Sequence, residues 1–242
     1  MNKYAQTIGW CVDAPFGDFA FSAPTPVRSM RSAALSERAV QACPAVNEYE
    51  KRLYQIPCAF DLNISIERRN GAFDLFVEDR GTRIDRDILQ RFLTLMKPDL
   101  WRHPDRPVIQ ILLPYFFISD EVCFMTQLPP FFDYRASKWP GLLISGRFPI
   151  QNWPRIMNWA FEWFDTDKPV RLRRGDPLCY MQFETETPDR QVKLVNCVLT
   201  DELKAFRKGI EGMPKYVSNT FKIMDEAATR RPKKLIKEID DG

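Results

Sequence analysis

The chain has one histidine in 242 residues, ten glycines and no CxxC pair, and each shortage closes a class of function. A non-haem iron centre takes two histidines and a carboxylate, and catalytic zinc usually takes two or three histidines or cysteines. His103 alone can furnish neither, which argues against a cupin-type oxygenase despite a strand-rich sequence. Any Ser-His-Asp or Cys-His arrangement would have to use that same imidazole. It sits in WRHPDRP, a loop punctuated by Pro104 and Pro107, with no GxSxG or cysteine-protease signature. An exposed loop histidine is expected. GxGxxG and GxxxxGK[ST] are also missing, so no glycine loop cradles a phosphate. No catalytic residue, metal ligand or cofactor is assigned.

Long apolar runs are missing too, and no segment approaches the length of a membrane span. Asp13 and Asp18 interrupt the N-terminus MNKYAQTIGWCVDAPFGDF, which therefore does not read as a secretory signal. Cys11, Cys43, Cys58, Cys123, Cys179 and Cys197 are scattered, and free thiols in a cytoplasmic protein are expected. The net charge of +3 does not by itself imply a nucleic-acid partner.

What is present suits a β-rich protein. Eighteen Phe, seven Tyr and six Trp supply large rigid core fillers. Nineteen prolines point to strand ends and ordered loops, and against a long helical bundle. In DLNISIE, Leu62, Ile64 and Ile66 share one face, and Asn70-Gly71 is a hairpin signal before AFDLFVED. VIQILLPYFFISDEVCFMTQLPPFF predicts one or two buried strands and GLLISGRFPI another. IMNWAFEWF alternates Met157, Trp159, Phe161 and Trp163 against polar or small residues, as a strand with an aromatic face does.

Helical spacing is sparser. IDRDILQRFLTLMKP predicts a helix over about 85–97, capped by Asp85 and stopped by Pro98. From Thr200 the chain is charged, and helices are expected near 201–211 and 215–229, followed by a short tail helix. The expected division is an extended N-terminal segment, 1–50, laid on the core; a β-rich core, 51–199; and a helical appendage, 200–242, dispensable for core folding. The fold class expected is α+β, mainly β: an antiparallel β-sandwich or distorted barrel with peripheral helices.

Candidate sites are few. Asp165, Asp167, Asp176, Glu184 and Glu186 could hold Mg²⁺ by number, but their spacing matches no metal loop. RLRR, Arg171 to Arg174, could meet phosphates, although alternation sends Leu172 inward as on an edge strand. RRPKK, Arg230 to Lys234, is offset by KEIDD. RRGDPLCYMQF is read as a hairpin: Gly175 supplies a positive φ, Asp176 bonds locally, and Cys179, Met181 and Phe183 face the core. Trp139, Trp153, Trp159 and Trp163 are expected in the core, with Trp139 and Trp153 in proline-flanked loops. The residues singled out for ligand binding are Arg147, Trp153, Asn158, Arg174 and Asp176.

One resemblance bears on this half of the chain. GLLISGRFPIQNWPRIMNWAFEWFDTDKPVRLRRGDPLCYMQF resembles an uncharacterised family of bacterial and phage proteins with a W…MNW.F…PV…GxPxC order. The matching positions are Trp153, Met157, Asn158, Trp159, Phe161, Pro169, Val170, Gly175, Pro177 and Cys179, and RLYQIPCAFDL looks like the strand that opens the same family's core. The resemblance covers about a quarter of the chain. It implies a bacterial or phage origin, hence the cytoplasm of the host cell or a virion, and it carries no activity. A strand ending in RxGD is also similar in shape to the dUTPase and dCTP deaminase family, whose nucleotide-binding motifs are not found here.

The expected function is a non-catalytic binding or assembly role, with an unknown protein partner or with itself, and with neither nucleic acid nor membrane. The alternative is an enzyme or sensor for a small phosphorylated or carboxylated ligand near the Arg174–Pro177 turn. An exposed apolar patch favours the first, and a pocket with convergent Arg and Asp the second.

Overall fold

A computed structural model describes residues 5–13, 21–27, 42–187, 190–211, 225–226 and 228–239. The first part of the chain gives β1 (Gln6–Val12), β2 (Thr25–Pro26), α1 (Pro44–Glu50), β3 (Leu53–Pro57), β4 (Leu62–Arg69) and β5 (Ala72–Val77). Next come α2 (Arg86–Leu89), β6 (Leu93–Leu95), β7 (Val108–Leu113), β8 (Tyr115–Ser119) and β9 (Cys123–Leu128). The remainder is β10 (Gly141–Leu143), β11 (Gly146–Pro149), β12 (Met157–Trp163), β13 (Val170–Leu172), β14 (Pro177–Thr185), β15 (Val192–Asn196) and α3 (Asp201–Glu211).

These strands form four sheets, in the orders β15-β1-β8, β10-β12-β7-β6, β11-β9-β14-β3-β2 and β13-β4-β5. The fold is α+β, mainly β, of sandwich type, and the described strands close no barrel. All strand pairs are antiparallel except β1 with β15. The main core joins Ile56, Ile64, Ile111, Trp159, Phe161 and Met181 from three of the sheets. On β12 the expected aromatic face is buried, with Trp159 and Phe161 stacked at 5.0 Å. At the β4–β5 turn both Asn70 (φ 50°) and Gly71 (φ 83°) are left-handed, as a two-residue hairpin requires.

Several expectations are corrected. The helix over 85–97 shrinks to α2: Asp85 caps it, accepting from the amides of Asp87 and Ile88, but by Leu93 the chain is a strand. Leu93 lies opposite Ile111 and Leu95 opposite Ile109, so β7 gains an edge partner. Leu89, Phe92, Leu93 and Met96 are buried all the same, because spacing that suits a helical face also suits a short helix feeding a strand. VIQILLPYFFISDEVCFMTQL holds three strands rather than one or two. Pro114 lacks an N–H, and there the chain passes from the β12 sheet to the β1 sheet. GLLISGRFPI likewise splits into β10 and β11, in different sheets.

The N-terminal segment contributes the middle strand of a sheet. Alternation of Phe16, Asp18 and Ala20 against Gly17, Phe19 and Phe21 permits a short strand at best, and that stretch falls largely outside the described residues. In β1, a Cβ on Gly9 would sit 2.7 Å from both Cys197 Sγ and Ile118 Cγ1, so only glycine allows that approach. Behind this sheet a second core packs Cys11, Phe116, Ile118, Val195 and Cys197 against Leu203, Phe206 and Ile210 of α3. Leu235 and Ile236 complete it. The tail that carries them is extended, not helical: their amides donate to Asp120 Oδ1, and Glu238 bridges Cys197. The expected helix at 215–229 lies mostly outside the described residues.

Candidate anion-binding clefts along strand β13

Among the described residues β13 is an edge strand, paired only with β4, and its alternation buries Val170 and Leu172 while Arg171 faces solvent. RRGDPLCYMQF is not a hairpin, since β13 pairs with β4 whereas β14 pairs with β3 and β9. The segment is a corner at which the chain changes sheets. Gly175 takes the expected positive φ, 85°, and the Asp176 amide donates to the Arg173 carbonyl at 3.0 Å. Cys179, Met181 and Phe183 face the core as expected. The β3–β4 connection turns the same corner beside it. Gly175 N–H donates to the Cys58 carbonyl at 2.9 Å, and Cys58 N–H donates to the Asp176 carbonyl at 2.8 Å. Asp61 Oδ1 accepts the Arg174 amide at 3.0 Å.

Two clefts open on either side of this corner. One, of about 660 Å³, is lined by Asp61, Asn63, Arg80, Arg83, Arg171 and Arg173, among others. Asn63 Nδ2 donates to the Arg80 carbonyl at 2.9 Å, and Thr82 Oγ1 accepts the Asn63 amide at 3.0 Å, so the loop bearing Arg80 and Arg83 is tied to β4. The other cleft, of about 530 Å³, has Cys58, Trp139, Pro169 and Leu172 as apolar lining and Arg135, Lys138, Lys168 and Asp176 as polar lining. Arg171, Leu172 and Arg173 line both.

Charge is one-sided here. The two linings bring seven cationic side chains against two carboxylates, Asp61 and Asp176. Arg135 bridges Asp133 and Asp176, Lys168 pairs with Asp165, and Arg83 stands 3.9 Å from Asp61. Among the described residues Arg80, Arg171 and Arg173 make no ion pair, and all three are exposed. The Arg135 guanidinium beside Asp133 holds that carboxyl below the usual carboxylate range, and the carboxylate in turn raises Arg135. Burial pushes the Cys58 thiol up to about 12, so it is no nucleophile at neutral pH; it donates to the Phe60 carbonyl at 3.1 Å. His103 is exposed, as expected, and its Nδ1 accepts the Asp105 amide. Among the described residues no three His, Cys, Asp or Glu side chains gather as metal ligands would. Guanidinium forks on a rigid edge can hold phosphate or carboxylate oxygens two at a time.

The five residues singled out in the sequence fall in three places. Asp176 lines the second cleft, and Arg174 adjoins it through its amide on Asp61. Arg147 lies on β11, over the Phe124 ring at 3.7 Å and bonded to Glu184 at 2.9 Å. Trp153 and Asn158 line a separate pocket beside β12. Arg171 and Arg173 were visible in RLRR, but Arg80, Arg83, Arg135, Lys138 and Lys168 carry no local motif. Only the sheet corner gathers them.

Beside the second cleft the loop before Arg135 exposes Phe131, Phe132 and Tyr134, the last 72% accessible. Tyr49 stacks on Phe131 at 6.1 Å, and both Phe rings lean on Tyr180. No helix of the described residues is long and apolar enough to cross a membrane. Compared with family models and with curated proteins, the chain matches none.

Proposed function

We propose that this is a non-catalytic binding protein whose ligand carries phosphate or carboxylate groups, held in the clefts on either side of β13. The observation that carries the reading is the placement of Arg171 and Arg173. Both line the two clefts, and neither is neutralised by a carboxylate among the described residues. Uncommitted guanidinium groups at a concave surface attract anions, and they recognise planar or tetrahedral oxyanions by bidentate hydrogen bonds. Calorimetric titration with pyrophosphate and with citrate at low salt tests this. Binding of either, weakened about ten- to a hundredfold in an Arg171→Ala/Arg173→Ala double variant, supports the proposal. Equal affinity in the two proteins, or no heat with either anion, contradicts it.

A second reading rests on Phe131, Phe132 and Tyr134: an assembly role through an exposed aromatic patch, in a phage particle or infected cell as the family resemblance implies. Sedimentation of the wild-type protein against Phe131→Ser/Phe132→Ser checks it. A self-associated species lost in the variant supports the role, and identical monomers exclude self-assembly through that patch.

A further inference from the structure

A third concavity shares no lining residue with the two clefts. It is a pocket of about 200 Å³ between β12 and the β9–β11 pair. At about 30 Å³ per molecule that is the bulk volume of roughly seven waters. Its lining includes Phe117, Met125 and Ile150 on the apolar side and Gln127, Arg155 and Asn158 on the polar side.

The polar side is under-used. Arg155 is half-buried between Pro154 and β12, and burial lowers its pKa with no carboxylate to oppose the shift. Its guanidinium makes no ion pair or hydrogen bond among the described residues; its one contact of note is the Trp153 ring, 4.9 Å below it. Gln127 is 3% exposed, and its Nε2 meets no oxygen acceptor, only the Cys179 sulfur beside it, a weak partner. The Asn158 amide makes no side-chain hydrogen bond among the described residues. Desolvated donors left unpaired are costly, and native proteins rarely keep them without a purpose. An apolar cavity with a few convergent polar groups is the usual form of a small-molecule site.

We propose that this pocket binds a small monocarboxylate with an apolar body, the carboxylate on the Arg155 guanidinium and the body against Phe117, Met125 and Ile150. One guanidinium matches one planar carboxylate in bidentate fashion. The remaining polar groups are neutral amides, so a dianion such as phosphate would be left short of positive charge. The volume excludes a large ligand, and the walls disfavour a polar one. Trp153 and Asn158, both within the segment that carries the family resemblance, belong to this site.

Benzoate and its neutral counterpart benzamide are the probes, with the methionine methyl resonances of Met125 and Met157 as the readout. Benzoate is expected to shift both methyl groups saturably, and benzamide to bind about ten- to a hundredfold more weakly. Arg155→Met is expected to lose benzoate binding by a similar factor. Its melting temperature should not fall, because a desolvated charge has been removed and the methylene stem replaced. Arg171→Ala/Arg173→Ala should bind benzoate as the wild type does, which separates this site from the β13 clefts. Absent methyl shifts with benzoate, equal affinity for benzamide, or undiminished binding in Arg155→Met would each overturn the proposal.

Discussion

The amide of Cys58 donates to the carbonyl of Asp176 at 2.8 Å, and this bond clamps two chain crossings together. With the neighbouring bond from Gly175, it holds β3–β4 and β13–β14 side by side as both pass from one sheet to the next. Arg171 and Arg173 flank that corner, so their positions depend on the backbone rather than on side-chain contacts.

Gly175 is the conformational cost of the corner. Its φ is 85°, and a Cβ there would meet nothing within 4 Å, so any penalty is backbone strain and not a clash. Gly175→Ala is expected to lower stability by about 1–2 kcal/mol and Gly175→Val by more, with Gly175→Asn the mildest because Asn tolerates the left-handed region. Urea melts check the order. An unchanged Gly175→Val protein would contradict it.

The tail is expected to be structural. Leu235 and Leu203 are 3% and 1% exposed and close the second core, so Leu235→Ala and Leu203→Ala should each cost about 2–5 kcal/mol. Truncation before Thr200 should then expose apolar surface and bind a hydrophobic dye. A cooperative truncated protein as stable as the full chain would restore the view of a dispensable appendage.

Thiol reactivity offers a separate check on the core. Cys43 is exposed, whereas burial pushes Cys58, Cys123 and Cys179 up to about 12 and Cys11 and Cys197 lie in the second core. A thiol reagent at neutral pH should modify one cysteine quickly in the native protein and all six after unfolding. Rapid modification of Cys58 or Cys179 would show that the corner opens.

Acid should loosen the loop beside the second cleft. Asp133 has its folded pKa below 3.8 because Arg135 bonds its charged form. A depressed carboxyl stabilises the fold above its unfolded pKa, and that contribution is lost as pH falls from about 3.8 through the lower folded value. The carbon-detected titration of Asp133 should have its midpoint below 3.8 and return towards it in Arg135→Ala. An unshifted wild-type midpoint would contradict the pairing.

Much of the fold was legible where local chemistry decides it. Asn70-Gly71, the period-two faces of β4 and β12, the Asp85 cap and the left-handed Gly175 all follow from neighbours in sequence. What was not legible depends on distant pairing. Leu93–Leu95 became a strand because β7 offered an edge, and RRGDP became a corner because Cys58 lay across from it. The tail strap needed Asp120, more than a hundred residues away, to bind its amides. The candidate site follows the same division. RLRR could be seen in the sequence, whereas Arg80, Arg83, Arg135, Lys138 and Lys168 reach the clefts only through tertiary structure, and Trp153 and Asn158 belong to a pocket of their own.

Anion binding in the β13 clefts is tested most directly by a map of where pyrophosphate binds, from amide and arginine Nε–H resonances followed through a titration at two salt concentrations. Saturable shifts are expected at Arg80, Gly81, Arg171 and Arg173, with affinity falling as salt screens the guanidinium groups. Shifts confined to Lys233 and Lys234 of the tail, or spread evenly over the surface, would contradict it.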